Sequence, residues 1–85
     1  MIHVKVGDGP HVWETQGKTL HIIDNLMLHP HKGYDTIVIH EAHKYPNVGV
    51  FAKLCKKYNT CVLIGGLINE NTKNLLEIAD KFEKV

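Results

Sequence analysis

The sequence predicts an α/β fold, with a small, mainly parallel sheet of three to four strands and three helices. Two short apolar runs, 36–39 and 61–64, lack polar alternation, which is typical of parallel strands that are covered on both faces. An amphipathic segment lies between them, and alternating strands and helices indicate right-handed crossovers. We therefore expect a single domain over residues 1–85, with a Rossmann-like or P-loop-core-like architecture.

The first part of the chain carries three weaker signals. Apolar and polar residues alternate over 2–6, which predicts a half-buried strand, and such a strand is often at an edge in a small domain. The segment 11–14 fits either a short return strand or a loop. Helical spacing of apolar residues over 20–27 predicts a helix that Thr19 caps and Pro30 ends.

Two further helices are predicted in the second half. Asn47 can cap the first, and its buried face is expected to carry Val48, Phe51, Leu54, Cys55 and Tyr58. Its other side carries the lysines Lys53, Lys56 and Lys57, which fit a solvated face better than a phosphate-binding patch. Asn69 or Asn71 caps the last helix, whose buried stripe is expected to be Leu75, Leu76, Ala79 and Phe82.

Composition narrows the function classes. The net charge is +1 with interleaved signs, so there is no strong case for nucleic-acid binding. No apolar run approaches the roughly 20 residues that span a bilayer, and we expect no membrane contact. Cys55 and Cys61 lie in apolar stretches, which favours free thiols and a cytoplasmic protein over a disulfide. We expect no cofactor.

The stretch 37–46 resembles the core of thymidine kinases of the small, zinc-containing type. In that family the corresponding strand ends in an Asp-Glu pair, where this chain has His40 and Glu41. The family continues with a small residue, Gln and two aromatics, and here the residues are Ala42, His43, Lys44 and Tyr45. The similarity runs without gaps to Ala79 and is poor before Tyr34. It implies a nucleotide-binding type of fold, in which Glu41 matches the general base for the nucleoside 5′-hydroxyl.

The chain departs from this family at the residues that carry phosphoryl transfer. A P-loop needs phosphate-wrapping glycines followed by Lys and Ser or Thr, and here only 17–19 echo one, with Val12 where the first glycine should be. His40 replaces the Mg²⁺-linked Asp, and Ile68 replaces the Asp that follows Gly-Leu. The family's zinc lobe and nucleoside-covering loop would fall beyond Val85. We therefore expect no enzyme activity, with Glu41 as a vestige of the base.

These departures favour a non-catalytic protein-interaction module, such as a small, virus-encoded regulator or inhibitor that resembles a truncated thymidine kinase core. The predicted partner-binding residues are Trp13, His40, His43 and Tyr45. Trp13 belongs to a segment without a family counterpart, and large aromatics dominate interface energetics, although Trp13 fits a core position equally well. The partner is another protein of unknown identity, and a homodimer is an open alternative.

Two other functions remain open. The second half is also similar to a STAS regulatory domain, but no serine occurs in the chain, which excludes the phosphoserine switch of that family and leaves partner binding. Alternatively, the chain is a small nucleotide- or zinc-binding protein that uses Glu41, His40 and His43, and a zinc ion could be held by His40 and His43 with Glu41, or with His29 and His31. The simpler interpretation of these histidines is a solvated loop rim that responds to pH.

Overall fold

The computed structural model describes residues 1–8, 11–23 and 33–85. Over these residues the chain is an α/β domain with one five-stranded sheet, in which every neighbouring pair is parallel. The strands are β1 (Ile2–Val6), β2 (Thr19–Ile22), β3 (Thr36–Ile39), β4 (Cys61–Gly66) and β5 (Lys81–Lys84), in the order β2-β3-β4-β1-β5. The helices are α1 (Val48–Lys57) and α2 (Leu75–Ile78), and a 3-10 turn spans Ala42–Lys44.

The prediction that the two apolar runs are parallel strands covered on both faces is confirmed. β3 and β4 are adjacent and parallel, with Ile37 beside Val62 and Ile39 beside Ile64. Val38 and Leu63, whose side chains point to the opposite face, are also buried. Burial on both faces is what an unbroken apolar run favours, because neither face then has to be polar.

The two faces of the sheet are covered differently. On the face that we call the helical face, α1 and α2 pack Phe51, Cys55 and Leu75 against the aliphatic residues of the strands. The opposite face, here the open face, carries His3 and Lys5 of β1 and is crossed by the segment 11–17. The Trp13 ring of that segment meets the His3 ring edge-on, with centroids 5.0 Å apart, and lies 4.4 Å from Lys5 Nζ. The segment 11–14 is therefore a loop and not a return strand.

The predicted helix after Thr19 is wrong over the residues that can be compared. Thr19–Ile22 form β2, which pairs with β3 and directs Leu20 and Ile22 to the helical face. The spacing of Leu20 and Ile22 satisfies a strand period as well as a helical one, and pairing with a neighbouring strand decides between them. The remainder of the predicted helix, with Met27 and Pro30, lies outside the described residues.

The predicted last helix is also wrong in its second half. Helix α2 ends at Ile78, Ala79 is extended, and the next residues form β5 beside β1. Leu75 is buried as expected, whereas Leu76 and Phe82 are exposed. The backbone of β1 provides the reason, because Ile2 and Val6 accept hydrogen bonds from the N–H groups that flank β5.

Three smaller outcomes complete the comparison. The expected third long helix is not found among the described residues, and Tyr58, assigned to the buried face of α1, is exposed. Strand β1 alternates in burial as expected, yet it lies inside the sheet between β4 and β5 and is not an edge.

Cys55 and Cys61 are both free thiols, and burial raises the pKa of Cys55 to about 11. No helix in the described part of the chain is long and apolar enough to cross a membrane.

Candidate functional site

The chain connections diverge at the carboxyl ends of β1 and β4, which are neighbours in the sheet. After β1 the chain crosses the open face, where Trp13 packs on His3. After β4 it returns over the helical face, where Leu75 joins the core. Parallel sheets form ligand-binding crevices where successive connections leave on opposite faces, because no chain then fills the space between the strand ends.

A cleft of about 600 Å³ opens at this position. Its lining residues follow the carboxyl ends of β1, β2, β3 and β4, or come from the loop over the open face: Gly7, Asp8, His11, Ile23, His40, Glu41, His43, Gly65, Gly66 and Leu67. Three of them are histidines. The sequence therefore placed Glu41, His40 and His43 at a strand end, and the structure brings them to one cleft with His11.

Gly65 and Gly66 allow the cleft walls to pack directly on β4. A Cβ atom at Gly65 would lie 2.6 Å from His11 Cδ2, and one at Gly66 would lie 2.9 Å from the backbone nitrogen of Ala42. Real Cβ atoms do not approach other heavy atoms this closely, so both positions need glycine for the present packing. The double glycine, at the end of β4, therefore allows His11 and the 3-10 turn to pack against this strand.

His43 is held by three hydrogen bonds. Its Nδ1 accepts the backbone N–H of Leu67 at 3.1 Å, so a neutral ring carries its proton on Nε2. Its carbonyl accepts the side-chain amides of Asn69 and Asn71, both at 2.8 Å. These contacts fix the ring relative to β4, and no hydrogen bond to its Nε2 comes from the residues that the structure describes.

His40 is paired with His21 of β2. Their Nε2 and Nδ1 atoms are 2.9 Å apart and their rings stack with centroids 5.2 Å apart. This hydrogen bond needs a proton on one of the two nitrogens and a lone pair on the other. Burial, followed by the proximity of His21 and His11, lowers the pKa of His40 below its usual 6.5, and Glu41 opposes this shift.

Glu41 follows β3 with a left-handed backbone, at φ 50° and ψ 50°. A residue other than glycine pays roughly 1–2 kcal/mol for this conformation, and such outliers cluster at functional sites. Its carboxylate forms an ion pair of 2.7 Å with Lys44, and this hydrogen bond lowers the pKa of Glu41. A lowered pKa makes a carboxylate a weaker proton acceptor, which is the opposite of the tuning that a general base needs.

The other predicted partner-binding residues do not line the cleft. Tyr45 is buried in the core, and its hydroxyl donates a 2.7 Å hydrogen bond to the carbonyl of Ile23. Trp13 is half-buried against the open face, and its Nε1 is enclosed without a hydrogen-bond partner. Their placement favours His40 and His43 as contact residues over Tyr45 and Trp13.

Metal ligation finds little support among the residues described. No group of three or more His, Cys, Asp or Glu side chains within 1–8, 11–23 and 33–85 is arranged to hold a metal ion. His40 and His43 each already use one ring nitrogen in a hydrogen bond, which leaves each with one. His29 and His31 lie outside the described residues.

Sequence reasoning missed an apolar rim around the cleft. The rim consists of Ile23 and Leu67, which line the cleft and are 61% and 40% exposed, together with Ile68, which follows Leu67 in the chain and is 49% exposed. Ile23 had been assigned to a buried helix, and Leu67 and Ile68 to the family's Gly-Leu-Asp element. The signal that the sequence offered for this rim was the apolar Ile68 in place of the acidic residue of that element.

Comparison of the chain with protein-family models, with curated proteins and with solved structures found no match in any of the three.

Proposed function

We propose that the chain is a non-catalytic binding module that contacts another protein through the cleft and its apolar rim. The rim is the observation that carries this proposal. Ile23 and Leu67 line a concave site and leave much of their aliphatic surface in water, as does Ile68, which follows Leu67 in the chain. Clustered exposed apolar residues framed by polar groups are typical of protein contact sites, because burying them on binding is favourable.

The path of the chain after β1 supports a binding role over phosphoryl transfer. Phosphates bind at the N-terminus of a helix that directly follows such a strand, where free backbone N–H groups converge. The described residues between β1 and β2, 7–8 and 11–18, contain no helix. Among residues 1–8, 11–23 and 33–85, none that lines the cleft is a lysine or an arginine, so these residues offer a polyphosphate no fixed positive charge.

We further propose that the domain derives from a thymidine-kinase-like, P-loop-type core and now regulates or inhibits its partner. Support comes from the continuous similarity from Glu41 to Ala79 and from the place of Glu41, at the carboxyl end of β3 beside the cleft. The ion pair that weakens Glu41 as a base agrees with a site whose catalytic use has been lost.

Quantitative affinity capture with matched variants tests the binding role. Leu67→Asp and Ile68→Asp place a charge on the rim, whereas Val50→Asp places one on α1, where Val50 is 56% exposed. We expect the same protein to be enriched by the wild type and by Val50→Asp, with about a tenfold or greater loss for both rim variants. Equal enrichment by all four proteins would refute a partner contact at the rim.

A small ligand is the second candidate, because the cleft has the volume of small-molecule pockets, which run from about 300 to 1,000 Å³. Imidazole rings can both donate and accept hydrogen bonds, as the base and sugar of a nucleoside do. Native mass spectrometry with added nucleosides or zinc would show a bound mass that His43→Ala removes. If no such mass is found, the protein-binding role is favoured.

A further inference from the structure

Strand β5 has a strand neighbour on one side only. It pairs with β1, and no described residue pairs with its outer side. Three of its four residues are exposed, including Phe82 at 37%. An edge of this kind presents unpaired N–H and C=O groups to any strand that can match it.

The sequence of β5 limits the register in which two copies of β5 can pair. In an antiparallel pair, two residues that stand opposite each other either both direct their backbone N–H and C=O groups toward the other strand or both direct them away from it. Two copies of β5 can therefore be centred on Lys81, on Phe82 or on Glu83. Centring on Lys81 or Glu83 would place that charge opposite its own copy, which is destabilising.

Centring on Phe82 makes every charged position complementary. Lys81 then stands opposite Glu83 of the second copy, and Asp80 stands opposite Lys84 of the second copy. The two-fold symmetry repeats both pairs. We infer that two copies of this chain associate through β5, antiparallel and centred on Phe82, so that the two sheets form one continuous sheet.

Exposed apolar groups lie on the same side of this edge. Phe82 is directed to the helical face, and together with Leu67 and Ile68 it lines a shallow crevice beside β1. The inferred pairing places the two Phe82 rings next to each other at the symmetry axis, where each covers the other. An isologous contact of this kind closes after two copies, so it gives a dimer and not a fibre.

The charges keep their present partners in this arrangement. Glu83 Oε1 already lies 3.0 Å from Lys81 Nζ and 3.3 Å from His3 Nε2, and Asp80 lies 3.1 Å from Lys56 Nζ. A carboxylate accepts several donors, so the lysine of a second copy adds to these contacts without replacing them. The association does not rest on the proposed function, since the residues that set its register, Lys81, Phe82 and Glu83, are on β5, and only the neighbouring Leu67 and Ile68 belong also to the rim.

Two charge reversals and their mixture test the inference by sedimentation velocity over a range of concentrations. Lys81→Glu brings two Glu side chains into opposition in the dimer, and Glu83→Lys does the same with two Lys side chains. Each variant alone should associate about tenfold more weakly than the wild type. An equimolar mixture should form a heterodimer at wild-type strength, because the introduced glutamate of one variant then faces the introduced lysine of the other. A loss caused within one chain cannot be restored by mixing.

Lys53→Glu on α1 and Glu70→Lys in the loop before α2 are the matched controls, and both should associate like the wild type. Circular dichroism confirms that each variant is folded. A wild-type chain that stays monomeric, an association that survives both reversals, or a mixture that fails to recover would each overturn the inference. A second readout, hydrogen exchange, should show slower exchange at β5 as the wild type associates.

Discussion

His21 Nδ1 and His40 Nε2 lie 2.9 Å apart and join the edge strand β2 to the end of β3. The backbone N–H of His40 also donates to the carbonyl of Ile22 at 3.0 Å. These two bonds close the wall of the cleft on the β2 side. The wall therefore depends on a pair of imidazoles in which one nitrogen must remain unprotonated.

Acid should destabilise the fold through His40. Its folded pKa lies below the ordinary 6.5, first because of burial and then because of His21 and His11, so the unfolded chain binds the proton more readily. The free energy of unfolding therefore falls as pH drops below about 6.5, and the loss is complete once pH is below the folded pKa. Urea unfolding of the wild type and of His40→Gln measures this contribution. We expect a flatter pH dependence in the variant, and identical dependences would contradict it.

Gly66→Ala should destabilise the domain by about 1–3 kcal/mol. The added Cβ would lie 2.9 Å from the backbone nitrogen of Ala42 and 3.1 Å from His43 Nδ1, so the 3-10 turn must shift. Gly49→Ala in α1 is the control, since its Cβ would meet only an ordinary contact at 3.9 Å. That change should stabilise by about 0.5 kcal/mol through helix propensity. Denaturant titration measures the free energy of unfolding of both variants, and an equal change in the two would argue against close packing at Gly66.

Trp13→Ala should lower the thermal midpoint, with a loss of about 2 kcal/mol. The ring covers His3 and Lys5 on the open face, so its removal exposes that side of the sheet. Val12→Ala is the matched control because Val12 is largely exposed and should change little. An unchanged midpoint in Trp13→Ala would return this residue to the list of partner anchors.

The chain should not phosphorylate thymidine with ATP. The cleft lacks a phosphate cradle among the described residues, and Lys44 holds Glu41 as a weak base. A radiolabel transfer assay on purified protein checks this expectation. Turnover that Glu41→Gln abolishes would show that the kinase chemistry is retained.

The spacing of apolar and charged residues was sufficient to predict the structure where it fits only one type of secondary structure. The runs that became β3 and β4 fit a buried strand, and the lysines of α1 fit a solvated face better than a phosphate-binding patch. Leu20 and Ile22 fit the spacing of a strand and also that of a helix, and Phe82 fits a helix until β1 is known to lie beside it. Pairing between segments that are distant in the sequence decides the secondary structure of such residues. The spacing of apolar residues along the chain carries no information about that pairing.

The residues of the candidate site also fall into those that could be predicted from the sequence and those that could not. Glu41, His40 and His43 could be predicted because they follow a strand directly, where parallel sheets place their ligands. His11 and His21 could not, because His11 reaches the cleft from a loop over the open face, and His21 reaches His40 from a strand that was expected to be a helix. The apolar rim needed the structure, since an exposed Ile looks like a buried one in sequence.

Photo-crosslinking from the rim tests the binding role most directly. A benzoylphenylalanine at position 68 adjoins Leu67, which lines the cleft, and one at position 50 lies on the exposed side of α1. After irradiation in cells that express the protein, we expect an adduct with another protein from position 68 and none from position 50. An adduct from position 50 alone, or from neither position, would contradict a partner contact at the carboxyl edge of the sheet.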